Sequence, residues 1–263
     1  MKVHVRKVKI APDVDVKVIA ARTVGMVGAD LANVVNESAL LAARNNKSQV
    51  EMSDFEEAID RVMAGLEKKS RLITRKEKEI VAYHEAGHAL VAMSLPQADP
   101  VHRVSIIPRG IAALGYTLQL PTEDRYLMTK SELMDKITVL LGGRGSEEIN
   151  FKEVSTGAQN DLLKAADIAR SMVTEYGMSE ALGPLTFGRE RRPLFLDVML
   201  PQSKEYSEET ARQIDDEVRK LINSCYERAK EILTGKKEKL DMLSKLLLEK
   251  EVVEGEELKK LFA

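Results

Sequence analysis

Two histidines four residues apart, with a glutamate directly after the first, make His84-Glu85-Ala86-Gly87-His88 the most chemically loaded stretch of this sequence. On an α-helix, residues four apart share a face, about 40° apart in projection and ~6 Å along the axis, so both imidazoles can reach one metal ion. Zinc accepts nitrogen donors in that geometry. Glu85 falls at the edge of the same face, close to a water on the metal without being a ligand itself. The spacing therefore reads as a metallohydrolase. The plainer reading is a pair of surface histidines beside an ordinary helical glutamate.

The context favours chemistry, because the motif lies in the middle of a predicted helix, where the spacing has its meaning. Thr74 and Glu77 predict a capping box, an apolar series runs through Ile80, Val81, Ala82, Ala86, Ala89, Leu90 and Met93, and Pro96 closes the segment. Gly87 costs about 1 kcal/mol relative to alanine inside a helix. Either a neighbour packs closely there or a bare surface is wanted beside the metal.

A catalytic zinc needs three protein ligands and an open position. His102 lies on a β-branched run and His4 far upstream, and both read as otherwise employed. Glu147 and Glu148 follow a Gly142-Gly143 break and offer carboxylates, although a solvated helical face explains them as well. Asp161 falls in the first turn of a long predicted helix, in line with Ala165, Ile168 and Met172, so a carboxylate heads an inward-facing row. Favourable charge at a helix N-terminus would also place an aspartate there. It would not require the side chain to point inward, and Asp161 is the preferred candidate.

The elements that must position these groups are mostly helical. Residues 1–64 read as a small helical domain, with helices over Val14 to Ala20, Ala29 to Arg44, and a third that Ser53 and Glu56 cap. A polar, basic linker follows over 65–72, and residues 73–263 form the second domain. There the period changes to two over Val101 to Ile107 and Gly115 to Leu120, which predicts two strands. Thr129 and Glu132 cap a helix expected to stop at Gly142-Gly143, and a long helix is expected from Ala158 to Tyr176. Residues 184–206 hold three prolines without clear period and read as a loop or flap. Two further helices, Glu208 to Leu233 and Lys236 to Lys250, turn at Gly235.

Composition narrows the function. A 44% apolar chain of 263 residues with formal net charge -2 supports one large or two small globular domains and carries no basic footprint for nucleic acid. No apolar run approaches the ~20 residues of a bilayer span, and the basic N-terminus lacks the apolar core of a signal peptide. The single cysteine, Cys225, excludes an internal disulfide and reads as a buried thiol.

Taken together, HEAGH (84–88), HRVSIIPRG (102–110), LGYTLQLP (114–121), LGGRGSEE (141–148) and STGAQNDLLKA (155–165) resemble the FtsH-type AAA proteases, membrane-anchored ATP-dependent zinc metallopeptidases. The resemblance covers nearly the whole chain. It implies Zn2+ held by His84, His88 and Asp161, with Glu85 as general base. Gly145 and Ser146 stand where the family usually has two alanines.

VHVRKVKIAPDVD (3–15) and VGADLANVVNESALLAAR (27–44) are similar to the family's AAA lid, which implies that His4, Gly28 and Ala29 lie against an adenine nucleotide. No GxxxxGK[ST] phosphate loop occurs in the sequence, so ATP is expected as a cofactor of a full-length protein only. The expected fold class is mainly α, a helical AAA lid followed by a helical HExxH metalloprotease domain with a small β-sheet.

The implied function is endopeptidase action on unfolded or membrane-extracted polypeptides in a homo-oligomer, as a hexamer. Membrane association is expected only through segments absent from this chain, and the full-length protein is expected in the cell inner membrane with this part on the cytoplasmic side. The rival expectation is a non-catalytic, ring-forming module that senses nucleotide and binds protein.

Overall fold

The computed structural model describes residues 1–66, 74–108, 114–119, 127–187 and 206–262. Most of the expected linker and of the expected 184–206 flap therefore lies outside the described residues. In chain order the elements are α1 (Val16–Arg22), α2 (Gly28–Arg44), α3 (Met52–Ala64), α4 (Arg75–Ser94), β1 (Val101–Ser105), β2 (Tyr116–Gln119), α5 (Lys130–Phe151), α6 (Gln159–Thr174), α7 (Glu208–Gly235), α8 (Lys237–Lys250), β3 (Val252–Glu254) and α9 (Gly255–Phe262). The fold is mainly helical with a small antiparallel sheet. The chain forms two compact units, one of Met1–Glu85, Asp99–Asp124 and Asp241–Ala263, the other of Ala86–Ala98 and Arg125–Leu240.

In the first unit, α1, α2 and α3 bury Ile19, Val34, Phe55, Ala58 and Ile59 together, and a parallel bridge between Ile10 and Val50 ties the leading segment to the α2–α3 turn. Asp15 caps α1 by accepting the Lys17 N–H at 2.8 Å, which moves its start to Val16 rather than Val14. The expected Ser53/Glu56 box is corrected. Asp54 accepts the Glu51 N–H at 3.0 Å and Asp13 accepts the Met52 N–H at 3.1 Å, so α3 starts at Met52 and Ser53 lies within its first turn. Carboxylates do here what a serine was expected to do, because an ionised acceptor makes the stronger bond to a free N–H.

The sheet has strand order β2-β1-β3, so β1 is central. Two strands are predicted from the sequence and a third is present. At three residues, β3 is too short for a period of two to register. Val104 pairs with Thr117 on one side and Val253 on the other, while the register slips between Val101 and Arg103, leaving His102 in an irregularity of the ladder. The Arg103 guanidinium meets Glu56, Asp60 and Glu254, and Arg22 meets Glu56 and Glu254, so ion pairs join α1 and α3 to β1 and β3.

In the second unit, α5, α6 and α7 share a core of Leu133, Ile137, Leu141, Ala165, Ala169, Met172, Ile214, Val218 and Cys225. The Thr129/Glu132 box opens α5, with the Glu132 N–H donating to Thr129 Oγ1 at 3.3 Å. The expected stop at Gly142-Gly143 does not occur, and α5 runs through both glycines to Phe151, where Lys152 at φ 55° ends it. The reason is tertiary. A Cβ on Gly87 would fall 2.5 Å from the Gly142 carbonyl oxygen and 2.6 Å from Ser146 Cβ, and one on Gly142 would fall 2.9 Å from the Gly87 carbonyl oxygen. These glycines bring α4 and α5 into backbone contact, which resolves the choice at Gly87 in favour of close packing.

Candidate metal centre

One continuous helix, α4, carries His84, Glu85 and His88, opened by the capping box in which the Glu77 N–H donates to Thr74 Oγ1 at 3.2 Å. Both histidines are 8% exposed and Glu85 is 6% exposed, so desolvation raises the demand for partners on all three. His88 Nδ1 lies 2.8 Å from the Val139 carbonyl oxygen on α5. A carbonyl can only accept, which puts the ring proton on Nδ1 and leaves the Nε2 lone pair available to a metal.

His88 Nε2 lies 3.4 Å from Asp161 Oδ2, on the first turn of α6. That separation is long for a hydrogen bond, but it matches the edge of a tetrahedron whose bonds are about 2.1 Å long, roughly 3.4 Å. His84, His88 and Asp161 each offer one donor atom, and the three lie within 4.8 Å of one another. Two imidazole nitrogens and one carboxylate oxygen suit zinc, whereas calcium or magnesium would call for oxygen donors throughout. The residues present fit a zinc ion.

Glu85 is not among those donors. Its Oε2 accepts the Thr117 hydroxyl at 2.8 Å, and Gly115 leaves room for its carboxylate, since a Cβ there would fall 2.9 Å from both Glu85 Cγ and Oε1.

The other two candidate carboxylates have protein partners of their own. Glu147 is 1% exposed and accepts the Ser155 N–H at 2.6 Å, anchoring the turn that leads into α6. Glu148 accepts the Tyr226 hydroxyl and lies 3.5 Å from Lys230 Nζ. The Tyr226 hydrogen bond, more than Lys230, holds the Glu148 carboxyl below its ordinary range. His102 is half-buried on β1, and burial, with Arg22 and Lys259 nearby, lowers its pKa. His4 sits in a 3-10 turn, His4–Lys7, while Gly28 and Ala29 lie exposed at the start of α2. Thr117, Gly115 and the Val139 carbonyl escape the sequence reading. Thr117 lies in a stretch already read as a strand, but a backbone carbonyl leaves no sequence signal at all.

An HExxH helix met by a carboxylate from a second helix is the donor set expected of a zinc-dependent metallopeptidase. Comparison with known proteins makes the assignment particular: the chain belongs to peptidase family M41, whose family model matches residues 71–261. A second model, the AAA+ lid domain, matches residues 13–57, a span that includes Gly28 and Ala29 and begins after His4.

Among relatives, the chain is 60% identical over 261 residues to the ATP-dependent zinc metalloprotease FtsH of Pseudothermotoga lettingae, covering 99% of this chain and 42% of that protein. It is 61% identical over 260 residues to the FtsH of Syntrophobacter fumaroxidans, covering 98% of this chain and 40% of that one. With the FtsH of Thermotoga maritima it shares 54% over 263 residues, covering 100% and 43%. The chain thus spans about two fifths of the length of these curated relatives. Among the described residues, no helix is long and apolar enough to cross a membrane.

Proposed function

We propose that this chain is the proteolytic part of an ATP-dependent protease, hydrolysing peptide bonds of unfolded polypeptide with a zinc ion held by His84, His88 and Asp161. The observation that carries the reading is the convergence of three donor atoms within 4.8 Å, with a glutamate from the same helix set beside them on its own partner. Zinc there supplies Lewis acidity, polarising the scissile carbonyl and lowering the pKa of water to about 7.

The chain's own residues do the rest. Glu85 takes a proton from the attacking water and delivers it to the leaving amine. The Val139 carbonyl keeps the His88 ring in the orientation and tautomer that present Nε2. The outer edge of β2, which no other strand covers among the described residues, offers main-chain groups to an extended peptide and so accepts substrate without demanding a sequence.

In this reading residues 1–64 are the AAA lid, with His4, Gly28 and Ala29 against the nucleotide of a full-length protein, 65–72 the linker and 73–263 the protease. The working assembly is a homohexamer, tethered to the inner membrane by segments outside this chain, with this part on the cytoplasmic side.

Metal analysis of the purified chain, paired with casein cleavage, tests the proposal. One zinc per chain and cleavage abolished by chelator and restored by zinc are expected. A chain that binds casein or nucleotide in rings without zinc and without cutting would overturn it in favour of a non-catalytic assembly module.

A further inference from the structure

The Thr117 side chain of β2 binds the carboxylate of Glu85, and the strand that carries it is itself fixed. Thr117 Oγ1 lies 2.8 Å from Glu85 Oε2 and 3.2 Å from the Glu85 carbonyl oxygen. A hydroxyl has one proton, and the charged oxygen at the shorter distance is the better acceptor. Thr117 is β-branched, so its χ1 has few options, and its backbone is paired in register with Val104, a fully buried residue of the central strand. Val104 is paired in turn with Val253 of β3. Two residues back, Gly115 is the only residue type that fits, because a Cβ would crowd both Glu85 and the Ser105 carbonyl oxygen, 2.8 Å away.

On these grounds we infer that Thr117 is a positioning residue for the general base: its hydroxyl binds one oxygen of the Glu85 carboxylate and so sets the orientation of the group. The inference rests on the proposed role of Glu85. Side chains on a strand alternate between faces, so Thr117 can turn toward α4 while the backbone of β2 keeps its outer edge for substrate. The same four-residue strand then aligns both reactants, the peptide through its main chain and the base through a hydroxyl. A valine has the shape of threonine without the hydroxyl, and a serine keeps the hydroxyl without the methyl, so the two variants separate packing from hydrogen bonding.

The experiment measures cleavage of an unstructured fluorogenic peptide, zinc content and urea midpoint for the chain, Thr117→Val, Thr117→Ser and Glu85→Gln. Thr117→Val is expected to lose about 10-fold in kcat, with KM within about 2-fold, stoichiometric zinc and a midpoint lowered only modestly. Thr117→Ser is expected to stay within about 3-fold of the parent. Should the valine variant not fold, Thr117→Ala replaces it, compared with Thr117→Ser. An inactive Glu85→Gln beside a fully active Thr117→Val overturns the positioning role alone, as does a serine variant no better than valine. A fully active Glu85→Gln removes the base assignment itself.

Discussion

His88 and Glu85 stand three residues apart on α4 and are held by different means. His88 is tied to a backbone carbonyl on α5, a helix that buries Leu133, Ile137 and Leu141 and that meets α4 through Gly87 and Gly142 with no side chain between. Glu85 rests against β2, every residue of which is only half-buried, and meets the Thr117 hydroxyl there. The proposed ligand His88 is thus secured by a closely packed helix pair, while the proposed base is secured by a half-buried strand. Protein ligands must hold their positions while water and substrate exchange at a metal, whereas a base must exchange a proton with groups that come and go. Lesions on the α5 and α6 side are accordingly expected to appear in metal content and stability, and lesions on the β2 side in turnover.

The largest expected effect breaks the metal side outright. Asp161→Asn should lose zinc and all measurable proteolysis while keeping its helical circular dichroism, because in the proposed centre the carboxylate is a ligand and it is not part of the apolar core. Zinc retained at one equivalent would remove Asp161 from the ligand set. Next, Gly87→Ala forces a methyl into the Gly142 carbonyl and Ser146 Cβ, neither of which is the far end of a flexible side chain, and is expected to destabilise by about 3 kcal/mol. A urea midpoint within error of the parent would show that α4 and α5 can separate.

Glu147→Gln separates anchoring from ligation. It weakens the acceptor that holds the Ser155 N–H, so roughly 10-fold in activity should go while zinc stays stoichiometric. Loss of zinc in this variant, with Asp161→Asn retaining it, would exchange their roles. The smallest expected effect is a gain. A Cβ on Gly145 would meet Leu233 Cδ1 at 3.2 Å and Lys230 Cγ at 3.6 Å, both movable side-chain atoms, so Gly145→Ala should recover helix propensity and stabilise by about 0.5 kcal/mol. A lowered thermal midpoint would mean that the Leu233 contact is as unyielding as the one at Gly87.

The same contrast explains what could be read in advance. Thr74 with Glu77 and Thr129 with Glu132 are local signals, complete within four residues, and both boxes are present. The inward row headed by Asp161 was legible because α6 keeps one face apolar over four turns, through Ala165 and Met172. Gly142-Gly143 misled because glycine has two uses: as punctuation its meaning is local, as a contact its meaning lies on another helix. Likewise β3 and α9 escaped notice, since a three-residue strand is defined by its partner Val104 rather than by its own pattern. Thr117 was in plain view as part of a strand, but nothing in a period of two says which hydroxyl meets a carboxylate.

The Arg103 cluster has a bearing on heat. Two guanidinium groups, Arg22 and Arg103, meet three carboxylates, Glu56, Asp60 and Glu254, and the side chains of Arg103 and Asp60 are almost wholly withdrawn from solvent. At room temperature much of the attraction in such a cluster is offset by the hydration its members gave up. Warming weakens the hydration of ions, while the apolar contribution per unit area levels off, so the balance shifts toward the ions. The seam between α3 and the sheet therefore gains, relative to the purely apolar bundle around Phe55, in the temperature range where most contacts are failing. A chain rich in lysine and glutamate that places a largely buried arginine at this seam gives its strands and leading helices a tie that strengthens, relative to apolar contact, as temperature rises.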